Sequence, residues 1–402
     1  MAAAMSESQE RLCSPISAAE LARRWTVARQ GMVDLGLDAL LVQGLNDFSV
    51  GGFFRWFTGQ QPSNVYPRTL LFPREGSMTA IENGPLGGDV ALDSADPMNY
   101  GVGRRAFTTS VSSVAYTGAY DAEVAAREIA RAGFKRVGLV CSASMSHGFV
   151  AALQSAAAGV DWVDATEMIE RHKAAKSAEE IELIRGSAAM QDQVFAKVCA
   201  HIRPGMREHE VMAYAQYLGQ LMGSESGIFL GSTAPEGRAA MFRPRSHWGR
   251  EIRKGDTFTL LIENNGPGGY YAELSRTLVL GRASSELVET HQQVLEARQN
   301  TVRQLLPGAD CSAIFAAHND YMRQRGLPEE RRLYGHSQGY DLAERPLLRQ
   351  DETMPLARNM LMAVHPTIAN ARVFVTITDN YLVRGEGGPE RLHKTPEKIV
   401  EL

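Results

Sequence analysis

What this chain lacks narrows its function before any motif is read. Its 402 residues hold four cysteines, Cys13, Cys141, Cys199 and Cys311, with no C-x-x-C spacing among them. Scattered thiols argue against a disulfide framework or a zinc knuckle and for a reducing compartment, and none has a neighbourhood that would activate a nucleophile. No apolar run approaches the roughly 20 residues of a membrane span, and the start, MAAAMSESQERLCSPIS, lacks the basic-then-apolar order of a secretory signal. The expected location is the cytoplasm, with no membrane partner. An excess of one charge is also lacking. Lys and Arg number 42 against 46 Asp and Glu, a formal charge of -4 with no basic run, which argues against a nucleic-acid partner. Small molecules and peptides remain.

What is present is enough for a large core, with 44% hydrophobic residues and a length that suits two or three domains. SAAELARRWTVARQGMVDLGLDALLVQG from Ser17 reads as an amphipathic helix ended by Gly36 and then an apolar strand. VGLVCSAS at 137–144 reads as a second buried strand, so the first part of the chain, to about Asp164, is expected to be α/β. Ser177 and Glu180 form an S-x-x-E capping box, with Ile181, Ile184 and Ala188 at helical spacing behind it. Two later segments, HIRPGMREHEVMAYAQYLGQLMG and LLPGADCSAIFAAHNDYMRQRGL, each read as a Pro-Gly turn and a helix, and each follows another helical segment. A duplicated helix pair packed on strands is expected there. MLMAVHPTIA and VFVTITDNYLV then read as strands that complete an α+β domain.

GDTFTLLIENNGPGGYYAELSRTLVLG at 255–281 is the most informative stretch. Its β-branched and aromatic runs flank nearly pure turn chemistry, which predicts a hairpin. The hairpin alone does not account for Glu263 and Glu273, because Glu is depleted in strands and apolar side chains would pack better. If the turn pairs the strands, the two acids converge on one pocket.

Several stretches, in order, now join it: DALLVQGLNDFSVGGFFRWFTG, HKAAKSAEEIELIR, RPGMREHEV, GHSQGYDLAERP and AVHP. Together they resemble the creatinase and aminopeptidase P family, the pita-bread enzymes, from about residue 18 to the C-terminus. The resemblance implies a creatinase-like α/β N-terminal domain, residues 1–164, and an α+β pita-bread catalytic domain, residues 165–402. It also implies a homodimer in which each N-terminal domain contributes to the partner's site.

The family's peptidases hold two metal ions on five ligands: two Asp on this hairpin, one His in a G-H-G-I-G loop and two Glu on later strands. Carried over by position, the first Asp falls on Leu261 or Ile262, with Glu263 just beyond, and the second is Glu273. The His is His336, the first Glu is His365, and the second is Thr378 with Asp379 beside it. With one ligand of five unchanged, the two-metal geometry is expected to be lost. Glu263, Glu273, His336 and His365 are expected to form a metal-free acid and base array, or else the shell of a single Zn or Fe(II) ion. The loop keeps Gly335, His336, Gly339, Glu344 and Pro346 of the family pattern, but the peptidases' second His is Ala343.

Creatinase has this fold, needs no metal and hydrolyses a C–N bond in a small zwitterion. Its carboxylate clamp, Phe-Gly-Arg, corresponds in spacing to Tyr66-Pro67-Arg68; Arg68 is either that clamp or a surface residue at a strand start. The family's ectoine hydrolases use a Glu near the first-Asp position as nucleophile, a role open to Glu263. Its dimethylsulfoniopropionate lyases have the same extra residue before the Gly-Tyr of the hairpin. Creatinase's base precedes the Gly-Asp, where spacing gives Pro244 and a rearranged loop would give His247. Arg243 and Arg245 either add positive potential or are solvated loop charges.

The expected function is a metal-independent hydrolase, with no cofactor, of a non-peptide C–N bond in a small carboxylate-bearing substrate. Glu263 serves as nucleophile or base, Glu273 binds a cationic or N–H group, and His336 and His365 move protons. Tyr66, Arg68, His247 and Glu344 are the expected substrate contacts. The alternatives are a lyase acting by β-elimination, a single-metal Xaa-Pro aminopeptidase and a non-catalytic binding module.

Overall fold

The structure, a computed structural model, describes residues 13–402 except 46, 48, 245 and 386, so Arg245 lies outside the described residues. The chain divides into two units, Met1–Lys173 and Ala174–Leu402.

In the first unit, Ser17 caps helix α1 (Ala18–Leu35) by accepting the Glu20 N–H at 3.1 Å, and Gly36 ends it in the left-handed region at φ 66°. Strands β1 (Ala39–Gly44), β2 (Arg68–Pro73), β3 (Met78–Asn83), β4 (Asp89–Ala91), β5 (Val102–Thr108), β6 (Arg136–Val140) and β7 (Asp161–Asp164) form one sheet, in the order β4-β5-β3-β2-β1-β6-β7. The central β1 is a continuous apolar run because both of its faces are covered. Leu41, Leu71 and Leu139 pack with Val124, Ile129 and Phe149 of helices α3 (Gly118–Ala132) and α4 (His147–Ala156). On the other side Phe57 of helix α2 (Gly52–Thr58) lies 4.9 Å from Phe72. The division follows Lys173 rather than residue 164 because helix α5 (Thr166–Ala174) packs into this unit. Met168 sits so close over Gly31 that a Cβ there would meet its sulfur at 2.5 Å.

The second unit opens with helix α6 (Ala178–His201), which carries the Ser177–Glu180 capping box. Helix α7 (Glu208–Leu221) follows, then β8 (Gly227–Ala234), β9 (Thr257–Asn265) and β10 (Tyr271–Val279). Helices α8 (Ser285–Val302) and α9 (Cys311–Gln324) supply the second helix pair. Next come β11 (Gly335–Ser337), β12 (Glu344–Leu347), β13 (Leu361–Val364), β14 (Thr367–Ala369), β15 (Phe374–Thr376), β16 (Asp379–Leu382), β17 (Glu390–Arg391) and β18 (Val400–Glu401). They build sheets in the orders β18-β10-β9-β8, β12-β11-β13-β16-β17 and β14-β15. Val194, Phe195, Val211 and Met212 pack on Leu260, Ile262 and Leu274, so α6 and α7 cover one face of the hairpin. A bridge between Ser275 and Thr378 brings β16 alongside β10, and β10 is buried along its whole length. Any acid on the inner face of this hairpin is therefore out of water.

Burial pushes the Cys199 and Cys311 thiols up to about 12, as befits unreactive packing cysteines. Among the described residues no helix is long and apolar enough to cross a membrane.

One buried ion cluster closes the second unit. Asp379 accepts from Arg276 at 2.8 Å and from Arg298, with Arg391 at 3.2 Å. Burial acts to raise its carboxyl pKa, but Arg276 and Arg298 outweigh that and hold it below its ordinary value. Removing one partner of a buried ion pair costs ~3–5 kcal/mol because a charge is stranded. Arg276→Met is therefore expected to lower the urea midpoint of this unit sharply. Arg282→Ala, on an exposed pair with Glu401, is expected to leave the midpoint near the parent's.

Candidate functional site

The register of the hairpin sets Glu263 directly opposite Glu273. Directly opposed side chains project on one face, with Cβ atoms about 5 Å apart. Ile262 points the other way into the core, and Leu261 lies opposite Ser275. Gly268 and Gly269 make the turn possible, at φ 89° and 87°. Glu263 and Glu273 are 4% and 5% exposed, and two carboxylates this close in a dry site cannot both ionise. Burial, then the charge of Glu273, raises the Glu263 pKa well above its ordinary value. Burial also acts to raise Glu273, but the imidazoles of His365 and His336 overcome it, and its pKa is lowered. Glu263 is therefore the protonated member, donating to an ionised Glu273.

A ring of amides fixes the pair. Gln338 donates its Nε2–H to Glu263 Oε1 at 2.9 Å, and Asn380 donates to Gln338 Oε1 at 2.7 Å. Asn380 Oδ1 in turn accepts the Glu273 N–H at 2.7 Å. Gln338 and Asn380 are fully buried. Sequence reasoning missed both: Gln338 follows His336-Ser337 and Asn380 follows Thr378-Asp379, so neither amide stood out from its polar neighbours.

His336, on β11, brings Nε2 to 3.5 Å from Glu273 Oε2, while its Nδ1 lies 3.0 Å from Ser337 O. A carbonyl can only accept, so Nδ1 carries a hydrogen. In a neutral ring Nε2 would then be a second acceptor facing a carboxylate. A positive charge must sit between them, either a proton on Nε2 or a metal cation. His365, half-buried at the end of β13, has its ring centroid 5.3 Å from that of His336. Burial lowers its pKa; Glu273 opposes this, and His336 and Arg332 add to it. Arg332, exposed in the loop before β11, is thus a nearby cation that sequence reasoning passed over; the Arg-Arg pair four residues before His336 was the available signal.

The remaining expected contacts are held elsewhere. Glu344 pairs with Lys176 Nζ at 2.8 Å and accepts the Asp341 N–H at 3.3 Å, so its carboxylate is engaged as a structural acceptor. Gly339 is needed beneath it, since a Cβ there would meet that carboxylate at 2.4 Å. Arg68 is likewise committed within its own unit: it bonds Glu82, Gln60 Oε1 at 2.9 Å and Gln61 O at 3.1 Å, over the Phe54 ring. Tyr66, half-buried two residues before it, gives its N–H to Ser63. His247 and Arg243 are exposed in the loop 241–250, and nothing brings His247 to the glutamates. Asp379 is consumed by its arginines, and Thr378 Oγ1 is buried without a hydrogen bond.

These residues do not fit the pair of metal ions the resemblance implies. Glu263 is capped by the Gln338 amide, Thr378 has no carboxylate, and that of Asp379 is taken by its arginines. A single divalent ion fits better. The donor atoms of Glu273, His336 and His365 lie within 4.8 Å of one another, and Glu273 Oε2 is buried without a hydrogen bond. Two imidazoles and one carboxylate are an established Zn or Fe(II) donor set, and the Ser337 carbonyl orients His336 as the outer partner of a ligating imidazole would. Glu263 is not part of this group, so the expected four-residue shell becomes three.

Comparison with known proteins bears on the family and the fold. Residues 182–385 match the model of metallopeptidase family M24. A Xaa-Pro dipeptidase of Pyrococcus horikoshii is 25% identical, over 67% of this chain and 76% of its own length. The creatinase of Bacillus sp. (strain B-0618) is 26% identical over 89% of this chain and 86% of its own. In structure, the Pyrococcus horikoshii prolidase superimposes with a TM-score of 0.75 at 20% identity, covering 94% of this chain and all of that one. With the family model spanning half of the sequence and the fold matched across both units, the chain belongs to metallopeptidase family M24 and is a hydrolase of the pita-bread fold.

Proposed function

We propose that this hydrolase cleaves a non-peptide C–N bond in a small carboxylate-bearing molecule, by proton transfer among its own side chains and without a divalent ion. The observation that carries this reading is the pair of buried glutamates set directly opposite each other across the hairpin, which cannot both ionise. Environments that drive two neighbouring acids apart assign an acid and a base. Glu263 therefore takes the role of proton donor, in place of the nucleophile or base expected from sequence. Neutral His365 accepts a proton from water as its oxygen bonds to the substrate carbon. The C–N bond breaks, and the leaving nitrogen takes the proton of Glu263. Ionised Glu273 holds a cationic or N–H group of the substrate and returns the proton from the histidines to Glu263. Arg332, whose charge is felt at His365, meets the substrate carboxylate; Arg68 is already occupied.

A second reading has one observation in its favour. The convergence of Glu273, His336 and His365, together with relatives named as Xaa-Pro dipeptidases, supports a single-ion peptidase. A divalent ion there would lower the pKa of bound water and supply hydroxide near neutral pH.

Substrates are to be sought by mass spectrometry in isotopically heavy water, among small N-acyl and N-carbamimidoyl carboxylates and Xaa-Pro dipeptides. Incorporation of solvent oxygen marks hydrolysis; an alkene product without it marks elimination and overturns the proposal. Turnover is expected to survive exhaustive chelation. Loss of activity that returns with one equivalent of Zn or Mn per chain decides for the single-ion peptidase.

Glu263→Gln is isosteric with the protonated acid and keeps the bond from Gln338, so folding is expected to persist while turnover falls by about 10²–10⁴. Stability provides an independent readout. A raised folded pKa means that the stability from Glu263 is complete below its ordinary value of 4.5 and is lost as pH rises through the folded value. The lowered pKa of Glu273 acts only on the acid side. As pH rises above about 5 the urea midpoint of Glu263→Gln is therefore expected to gain steadily on the parent's. A constant difference would mean that Glu263 is not the protonated member.

A further inference from the structure

The first unit has a cavity of about 360 Å³ that the hydrolytic reading does not use. It lies at the carboxyl ends of the parallel strands β1 and β6, reached by Gly44 and Ser144, and at the N-terminal turns of α3 and α4. Crevices outside the carboxyl ends of parallel strands are recurrent ligand sites, and this volume falls within the ~300–1,000 Å³ range of small-molecule pockets.

One buried acid distinguishes the cavity from an ordinary packing gap. Asp121, in the first turn of α3, lines it and is 1% exposed, yet neither carboxyl oxygen has a hydrogen-bond partner. The hydroxyls of Ser110 and Thr108 are beside it and act against the effect of burial without overcoming it. Ser110 also bonds Thr117 O at 2.6 Å, and its oxygen accepts the Asp121 N–H at 3.2 Å. Among the described residues no Lys or Arg lines the cavity. Burial pushes the Asp121 carboxyl up to about 6, so near neutral pH it is an ionised group with no counter-charge, an arrangement proteins rarely tolerate without a ligand or a role.

The rest of the wall defines what would satisfy it. Val111, Met145 and Phe149 are apolar. Gln43 gives its amide N–H to Thr69 Oγ1 at 2.9 Å, which leaves its carbonyl oxygen as an acceptor. The wall therefore offers acceptors and apolar surface, the complement of a cation with several N–H donors and a hydrocarbon body.

We propose that this cavity binds a small primary ammonium compound, its nitrogen on Asp121 and Gln43 and its apolar body against Val111, Met145 and Phe149. Two sources share that chemistry, a simple alkylamine and the ammonium end of an apolar amino acid. In the second case the carboxylate would lie at the N-terminus of α4, where backbone N–H groups favour an anion.

Calorimetric titration of the full-length protein with isoamylamine and with L-leucine, which differ by that carboxylate, tests the proposal and separates the sources. Saturable binding of at least one is expected. A leucine affinity about tenfold or more above that of the amine assigns the amino acid, and the reverse order assigns the amine. Asp121→Asn is expected to weaken binding at least tenfold while retaining the parent's circular dichroism. Gly118→Leu serves as an independent block. Gly118 lines the cavity in an ordinary helical conformation, with nothing within 4 Å of an added Cβ, and the substitution adds bulk without touching the acid. Absence of saturable binding by either compound, or affinity unchanged in Asp121→Asn, would overturn the assignment.

Discussion

Two carboxyl groups held directly opposite each other on a buried hairpin are the constraint around which the catalytic unit is arranged. The register of β9 and β10 leaves Glu263 and Glu273 no room to separate. Both acids are buried, because helices cover one face of the hairpin and a second sheet approaches the other. Like charges opposed across a sheet are unfavourable even at a surface; in a dry site one of the two must keep its proton. The amide ring of Gln338 and Asn380 then becomes intelligible. It presents an N–H to one acid and accepts the backbone N–H of the other, so the shared proton has a fixed address.

A second charge cluster lies immediately behind, and Asn380 separates the two. Its backbone N–H meets His393 Nδ1 at 3.3 Å, beside the ion cluster of Asp379, while its side chain belongs to the glutamate ring. The alternation of a strand sends adjacent side chains to opposite sides, which is how Asp379 can be saturated by Arg276 and Arg298 one residue from an amide that serves the site. This division matters chemically. Were Asp379 turned toward Glu273, a third carboxylate would enter the pocket and the proton balance of the pair would change.

Much of this was legible in the sequence, for physical reasons. Apolar periodicity, the Ser177–Glu180 box, Gly36 as a helix stop and the Gly-rich turn are local signals, and each is realised where the pattern places it. The two glutamates stood out because strands avoid Glu. What the sequence could not supply was register and pairing. Counting along the chain reached Leu261 or Ile262, with Glu263 just beyond; strand pairing is what sets Glu263 opposite Glu273. Arg68 and Glu344 match the family pattern in position, yet cross-strand and loop contacts to Glu82 and Lys176 occupy them. Gln338 and Asn380 matter through hydrogen bonds that span 75 and 107 residues, a separation that no local pattern reports.

The total charge of the site bears on how it has departed from the peptidase pattern. Four carboxylates and one imidazole, the ligand set that the family resemblance implies, carry a formal charge of about -4 when ionised, which two divalent cations neutralise. Here Glu273, His336 and His365 converge, one carboxylate and two imidazoles with a formal charge near -1 when Glu273 is ionised, so one divalent cation comes closer to balancing the group than two. The backbone of the hairpin depends on apolar faces and on glycine rather than on the side chains that carry charge, so the fold tolerates different charged groups at this place.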